Sequence, residues 1–213
     1  MITAHGGSFG SGRNSHSYLN NIDVYEADAI EVDIYKNFGI LYISHLPAPF
    51  TCWKKIRLRE VFKLVKEKEI KVNCDLKQHG IIKDVINLAK SMGMEDQLIF
   101  TGSVRESDYK IIDCGEVWLN KMKGISYSTK NVPQIKARLE SLNNPRFKGI
   151  NINYRKLSGK FIEACKMYNV PISAFTIDNV NKLLKLVPII DGNITTNLPL
   201  VARSILNKSK KEN

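Results

Sequence analysis

No stretch of about 18 consecutive apolar residues occurs in this 213-residue chain, so no transmembrane segment is expected. Met1 leads straight into a strand pattern without a basic region or an apolar signal core, so a secretory signal is not expected and a cytoplasmic location is. Cysteine is scarce. Cys52, Cys74, Cys114 and Cys165 show neither CxxC nor Cys/His ligand spacing, which argues against a zinc site and for reduced, mostly buried thiols. No glycine-rich dinucleotide fingerprint occurs, and no linker or internal repeat divides the chain, so one domain over residues 1–213 is expected. Acids are the scarcer charge, 21 Asp and Glu against 32 Lys and Arg, and the net +11 favours an anionic partner. The excess is scattered as single lysines along predicted helices, and the one run, Lys208-Ser209-Lys210-Lys211, is terminal. Specific nucleic-acid binding is therefore not expected, and a small phosphate-bearing substrate accounts for the sign equally well.

Against that background the segment Ala29-Ile30-Glu31-Val32-Asp33-Ile34-Tyr35 stands out. Strand residues two apart share a face, so Glu31 and Asp33 project side by side among apolar neighbours. Adjacent buried carboxylates resist ionisation unless a positive charge lies between them, and the usual compensator is a hard divalent cation, Mg²⁺ or Ca²⁺. A polar strand end with two solvated acids is the alternative. Three further strand-like runs end in titratable groups: Met1 to His5, Gly39 to His45, and Ile70 to Lys77 with Asp75 and Lys77 on one face. The carboxyl ends of parallel strands are where α/β enzymes build their sites.

At 43% hydrophobic and 25% charged, the chain can bury one sizeable core. A Gly/Ser-rich loop from Gly6 to Asn14 precedes a predicted helix from Ser15 to Ala27, with Tyr18, Leu19, Ile22 and Tyr25 at helical spacing. Strand 29–35 and the run 39–45 are separated by a turn at Lys36-Asn37 with Gly39, and a loop with Pro47 and Pro49 runs from Leu46 to Lys55. Helices are predicted at 57–68, 80–92, 105–113, 131–142, 157–168, 179–186 and 198–207. Strands are predicted at 2–5, 29–35, 71–76, 97–101, 116–120, 147–152, 171–177 and 189–195. Eight alternating units predict an α/β chain with an all-parallel sheet, a (β/α)₈ TIM barrel at the short end of its usual length. An open doubly wound sheet is the alternative.

Several motifs together resemble a known family. Ala4-His5-Gly6-Gly7, Asn14-Ser15 and Ala27-Asp28-Ala29-Ile30-Glu31-Val32-Asp33 resemble the opening AHRG…ENT…GADGIELDV of glycerophosphodiester phosphodiesterases, without insertion or deletion from Asn14 to Glu31. His45 resembles the histidine of their HD motif, and Asn73-Cys74-Asp75-Leu76-Lys77 their (N/V)xExK strand. Ser173 to Asp178 resembles VxWTVN, and Asp191 to Pro199 the closing VDGIITDxP. The resemblance implies a barrel of phospholipase-C type, a role in lipid metabolism, and Glu31, Asp33 and Asp75 as ligands to Mg²⁺ or Ca²⁺, with Mn²⁺ a further option. It implies His5 and His45 as the acid–base pair, and Lys77 as a phosphate-binding cation. A substrate hydroxyl next to the phosphate would attack first, and water would open the resulting cyclic phosphate.

Five departures bear on substrate. Gly6 stands where the family has a phosphate-clamping arginine, and Arg13 where it has glutamate, so Arg13, beside Asn14, is the candidate replacement for substrate binding. Asp75 replaces glutamate, shorter by about 1.5 Å. Leu46 replaces the aspartate of HD, and the insertion covering the glycerol side has shrunk to the segment Leu46 to Lys55. A compact loop with Asp75 and Lys77 also resembles, more weakly, spider-toxin sphingomyelinases D. A non-catalytic barrel binding a phosphorylated ligand or a partner is the remaining alternative. It would have little reason to keep a cluster of buried like charges.

Overall fold

The computed structural model describes residues 1–211, so the last two residues of the expected domain 1–213 lie outside the described residues. Strand β2 (Ala29–Asn37) is buried on both faces from Ala29 to Tyr35, as a strand flanked by parallel neighbours under a helical layer must be. β1 (Ile2–Ala4) pairs in parallel with β2 on one side and with β9 (Ile194–Thr196) on the other. The circuit runs on through β4 (Lys71–Leu76), β5 (Leu98–Gly102), β6 (Glu116–Leu119), β7 (Phe147–Asn153) and β8 (Ile172–Phe175), every pairing parallel. The result is a closed barrel of eight parallel strands, as expected.

One strand lies outside the circuit. β3 (Ile40–Ile43) pairs antiparallel with β2, Ile34 opposite Ile43 and Asn37 opposite Ile40. The reversal is made by Phe38 (φ 50°) and Gly39 (φ 77°), so the turn lies beyond the expected Lys36-Asn37 and β2 continues through it. Two positive-φ residues are what a two-residue hairpin demands. The hairpin rises beyond the barrel mouth and returns, and Ser44 N–H donates to the Asp33 carbonyl at 3.0 Å, so His45 arrives at the level of the acids from an antiparallel strand.

Helices α2 (Leu58–Glu67) and α3 (Ile82–Met92) bury i, i+3, i+4, i+7 stripes, Leu58-Val61-Phe62-Val65 and Ile82-Val85-Ile86-Ala89, against the outer face of the sheet. α4 (Val132–Ser141), α5 (Gly159–Met167), α6 (Val180–Leu186) and α7 (Pro199–Ser209) complete the layer near their expected positions. Two expectations are corrected. The helix predicted for 15–27 is only α1 (His16–Asn20) followed by a 3₁₀ turn at Ile22–Val24. The Tyr25 hydroxyl donates to the Tyr18 carbonyl, and Glu26 takes a left-handed φ of 47°, which ends the helical path. The helix predicted for 105–113 is a 3₁₀ segment, Glu106–Lys110. Within 105–113 the large apolar residues are Tyr109, Ile111 and Ile112, too few and too bunched for a helical stripe, and Ile111 is exposed. The last strand also starts later than 189, because the Asp191 side chain accepts from Ile172 N–H at 2.9 Å in place of a regular ladder.

Alternation along each strand divides the interior in two. Ile30, Val32, Ile34, Val72, Cys74, Leu98 and Phe100 face the helices in the main core. The opposite face looks into the barrel and is mostly polar: Thr3 donates to Asn193 (2.7 Å), Thr101 to Asn73 (3.0 Å), and Lys71 pairs with Glu116 (2.6 Å). Ala29, Ile99 and Trp118, with Met1, form a separate small apolar cluster. All four cysteines are buried free thiols.

Candidate active site

Glu31 and Asp33 lie two residues apart on β2, and Asp75 sits beside Asp33 in the β2–β4 register. Each of the three offers a carboxylate oxygen, and these lie within 4.8 Å of one another. Two of the carboxylates are also held from behind. Gly6 N–H donates to Glu31 Oε2 at 2.8 Å. Asn14 grips Asp33 twice, Nδ2 donating to Asp33 Oδ2 (2.8 Å) and Oδ1 accepting from Asp33 N–H (2.9 Å). Asn14 holds a left-handed φ of 51°, which asparagine tolerates better than most residues. The buried Tyr18 hydroxyl donates to the Ala4 carbonyl at 2.8 Å and lies 3.1 Å from the Glu31 carbonyl, tying the ends of β1 and β2 together.

Lys77 Nζ bridges Asp33 and Asp75, 2.7 Å from Asp33 Oδ1 and in contact with Asp75 Oδ2. Burial, reinforced by the charges of Asp33 and Asp75, pushes the Glu31 carboxyl well above the usual range. Asp33 is buried too, but Lys77 and the hydrogen bonds from Asn14 and His45 outweigh burial and hold it below its ordinary value. Asp75 is raised by burial, which Lys77 only partly offsets. Burial opposes the Lys77 ammonium, yet Asp75 and Asp33 raise it. At full ionisation three carboxylates against one ammonium leave two negative charges, and the donors are all oxygen. That set fits a hard divalent cation.

The fit of Asp75 depends on Gly102 in the neighbouring strand. Gly102 has φ 78°, and a Cβ there would fall 2.0 Å from Asp75 Oδ1 and 2.5 Å from the Leu76 carbonyl oxygen. We expect Gly102→Ala to destabilise the barrel by about 3 kcal/mol or more, a fall in Tm of roughly 6–12 °C, because both the dihedral and the space are wrong. A thermal melt within about 2 °C of wild type would show that Asp75 does not occupy this space.

The two histidines come from different sides. His5, at the end of β1, has Nε2 3.9 Å from Glu31 Oε2 and Nδ1 2.9 Å from Asn197 Oδ1. Asn197 in turn donates Nδ2–H to Asp178 Oδ2 (2.7 Å), and its backbone N–H donates to Asp178 Oδ1 (2.8 Å). With its NH₂ committed to Asp178, the carboxamide turns its oxygen to His5, so Nδ1 carries the proton and Nε2 faces the acids. His45 Nδ1 lies 3.2 Å from Asp33 Oδ2, and Arg13 Nη1 donates to His45 Nε2 at 2.6 Å. Arg13 is exposed, and its guanidinium reaches the site at His45 rather than at the acids. Asn14, expected among the substrate-binding residues, commits its carboxamide to Asp33. A Cβ at Gly6 would lie 3.1 Å from Glu31 Oε2, so Glu31 occupies the space against this glycine.

His5, Glu31, Asp33, His45, Asp75 and Lys77 all line one cleft of about 180 Å³ at the carboxyl end of the barrel. Its floor and far wall were not expected from the sequence. Asn120 accepts from Gly102 N–H (2.8 Å) and from Asn151 Nδ2 (3.2 Å), while the buried Asn151 Oδ1 has no partner among the described residues. A second cavity of about 550 Å³ shares Asn120, Asn151 and Phe175 with the first. Asn151, Asp178 and Asn197 carried one usable sign: each is a polar residue at or near the carboxyl end of an apolar strand, as His5 and Asp75 are.

No family model matches the chain, and no curated protein matches it by sequence. Solved structures do. A glycerophosphodiester phosphodiesterase from Parabacteroides distasonis aligns over 98% of this chain and 97% of its own, with a TM-score of 0.75 and 18% identity. An Oleispira antarctica phosphodiesterase, solved in complex with the product sn-glycerol-3-phosphate, aligns over 97% and 96% with a TM-score of 0.76 at 18% identity. A glycerophosphodiester phosphodiesterase from Agrobacterium tumefaciens aligns over 97% and 98%, TM-score 0.72, at 14% identity. At such identities the likeness is one of fold, and a barrel fold by itself selects no chemistry.

Proposed function

We propose that residues 1–213 form a single metal-dependent phosphodiesterase domain acting on glycerophosphodiester-type substrates. The products would be an alcohol and a phosphomonoester, sn-glycerol 3-phosphate for a typical substrate. The observation that carries this reading is the convergence of three carboxylates, two imidazoles and an ammonium, from four separate chain segments, on one cleft. The barrel shared with a phosphodiesterase that holds sn-glycerol-3-phosphate adds support.

Glu31, Asp33 and Asp75 would hold Mg²⁺ or Ca²⁺, with Mn²⁺ also compatible, and the ion when bound supplies positive charge to the phosphate oxygens. Lys77 is the resident cation that can bind a further phosphate oxygen. Nδ1 of each histidine is engaged by Asn197 or Asp33, so Nε2 is the working nitrogen on each, free on His5 and on His45 once Arg13 lets it go. One Nε2 accepts the proton of the substrate hydroxyl as its oxygen bonds to phosphorus. The other, protonated, gives its proton to the leaving alkoxide as that P–O bond breaks. The roles then exchange as water opens the cyclic phosphate. Arg13, when it releases His45, can meet the anion from the loop side. With four buried free thiols and no disulfide among them, we place the protein in the cytoplasm.

The test is a turnover screen of glycerophosphodiesters, lysophospholipids and bis(p-nitrophenyl) phosphate with Mg²⁺, Mn²⁺ and Ca²⁺. Release of a phosphomonoester that stops on adding EDTA is expected. No turnover of any substrate with any ion would overturn the reading in favour of a non-catalytic ligand-binding barrel.

A further inference from the structure

From Ile34 to Arg59 the chain carries no aspartate or glutamate, yet it carries Lys36, Lys54, Lys55, Arg57 and Arg59. The same stretch exposes four large apolar side chains: Phe38 is 76% exposed, Leu46 68%, Phe50 78% and Trp53 55%. A single exposed apolar side chain needs no explanation, but four from one short stretch do. Packing brings them to one rim. The 3₁₀ segment Pro49–Lys54 lies against the β2–β3 hairpin: Ala48 N–H donates to the Tyr42 hydroxyl (3.1 Å), which also accepts from Asn37 Nδ2 (2.6 Å). Cys52 is buried beneath, its Sγ 4.0 Å from the Asn37 carbonyl oxygen. Phe38, next to Asn37, therefore shares an edge with Phe50 and Trp53 on either side of Cys52. Leu46 directly follows His45, so the edge borders the cleft.

The local backbone gives a second reason to regard this exposure as functional. Phe38 holds φ 50° at the hairpin tip, a position where asparagine or glycine is at ease and a bulky side chain is strained. Nothing in the core rewards that strain, since the ring points outward.

We propose that this rim docks the barrel on an anionic lipid bilayer. Leucine, phenylalanine and tryptophan on a turn and a short loop suit the layer between headgroups and acyl chains. The exposed Lys54 and Lys55 beside them match acidic headgroups, and no acid in the stretch opposes that attraction. A bilayer-bound barrel presents the cleft at the membrane surface, where a phosphodiester headgroup would lie. This last consequence rests on the phosphodiesterase reading, whereas docking itself does not.

The full-length chain is mixed with vesicles of phosphatidylcholine alone, and of phosphatidylcholine with phosphatidylglycerol. Binding is read by sedimentation and by tryptophan emission. Trp118 is buried in the barrel, so an emission shift reports Trp53. Binding to the anionic vesicles with a blue shift is expected. The Phe50→Ala/Trp53→Ala and Lys54→Glu/Lys55→Glu variants should each lower the partition coefficient roughly tenfold or more. Because all four positions are exposed, both variants should melt as wild type does. Absence of binding would overturn the proposal. So would binding to which the Phe50/Trp53 variant is indifferent, since that is mere adsorption of a cationic chain. A blue shift that grows with protein concentration without lipid would instead assign the rim to self-association. None of these outcomes depends on turnover, so failure here is separable from failure of the catalytic reading.

Discussion

His5→Ala and His45→Ala are each expected to lower kcat by roughly 10²–10⁴ while the rise in Tm caused by a divalent ion persists. The separation follows from the geometry. His5 stands 3.9 Å from Glu31 Oε2, and Glu31 keeps its anchor on Gly6 N–H when the ring is removed. His45 contacts Asp33, but Asp33 keeps both bonds to Asn14 and its ion pair with Lys77. The acids therefore stay in place without either imidazole, and on the proposed mechanism what is lost is a proton carrier. Arg13→Lys supplies the next comparison. Its guanidinium donates to His45 Nε2, the nitrogen to which the proposed mechanism gives the proton transfer, so on that proposal Arg13 and the reaction compete for one atom. Replacing the planar fork while keeping the charge should lower kcat/KM if Arg13 moves from His45 onto the phosphate. An unchanged kcat/KM would leave Lys77 as the chain's own phosphate-neutralising group. Full activity in both histidine variants would refute the acid–base assignment altogether.

What could be read in advance was local and periodic. Glu31 and Asp33 stand two apart in an apolar strand, so their shared face was visible from spacing alone, and β2 through Tyr35 is buried as that spacing requires. The eight parallel strands followed from alternation with helices. Failures arose where side chains make long-range hydrogen bonds that imitate a pattern. Tyr18 and Tyr25 sit at helical spacing, yet their hydroxyls are spent on the Ala4 and Tyr18 carbonyls, so the periodicity after residue 20 reflects anchoring to the barrel rather than a continuing helix. The direction of the strand leading to His45 could not be read either, because the turn that reverses it places phenylalanine where φ is positive. Asp178 and Asn197 are 19 residues apart and meet only because the ends of β8 and β9 lie side by side in the closed barrel. The pair also exchanges its residue types relative to the resembled motifs, VN and TD, so a carboxamide rather than a carboxylate faces His5. The polar lumen was visible residue by residue, as Asn73, Thr101, Asn151 and Thr195 inside apolar strands. A lone Thr or Asn is compatible with any strand, so only closure of the sheet reveals that they share a cavity.

The charge imbalance of the acid cluster leads to the second large effect. Without an ion, three carboxylates share one ammonium, and Glu31 is the most deeply frustrated of them, raised first by burial and then by Asp33 and Asp75. An ion that binds only the folded state stabilises it by about 2.7 kcal/mol at a hundredfold excess over Kd, or roughly 5–10 °C in Tm for a chain of this size. We expect that rise on adding Mg²⁺ or Ca²⁺ to EDTA-treated protein. Glu31→Gln should abolish it together with activity. Glutamine keeps an oxygen for Gly6 N–H, so the local scaffold survives while one charge and one hard ligand are lost. Because the charge removed is the one that burial opposes most, metal-free Glu31→Gln should melt no lower than metal-free wild type. A purely structural Glu31 predicts the reverse, a lower Tm with the ion response intact. Asp75→Asn should weaken the response as well, but at a cost in metal-free stability, since Lys77 then loses one of its two partners. A wild-type protein whose melting is indifferent to Mg²⁺, Ca²⁺ and Mn²⁺ alike would leave the carboxylates with Lys77 as their only counter-charge and would end the metal-site assignment.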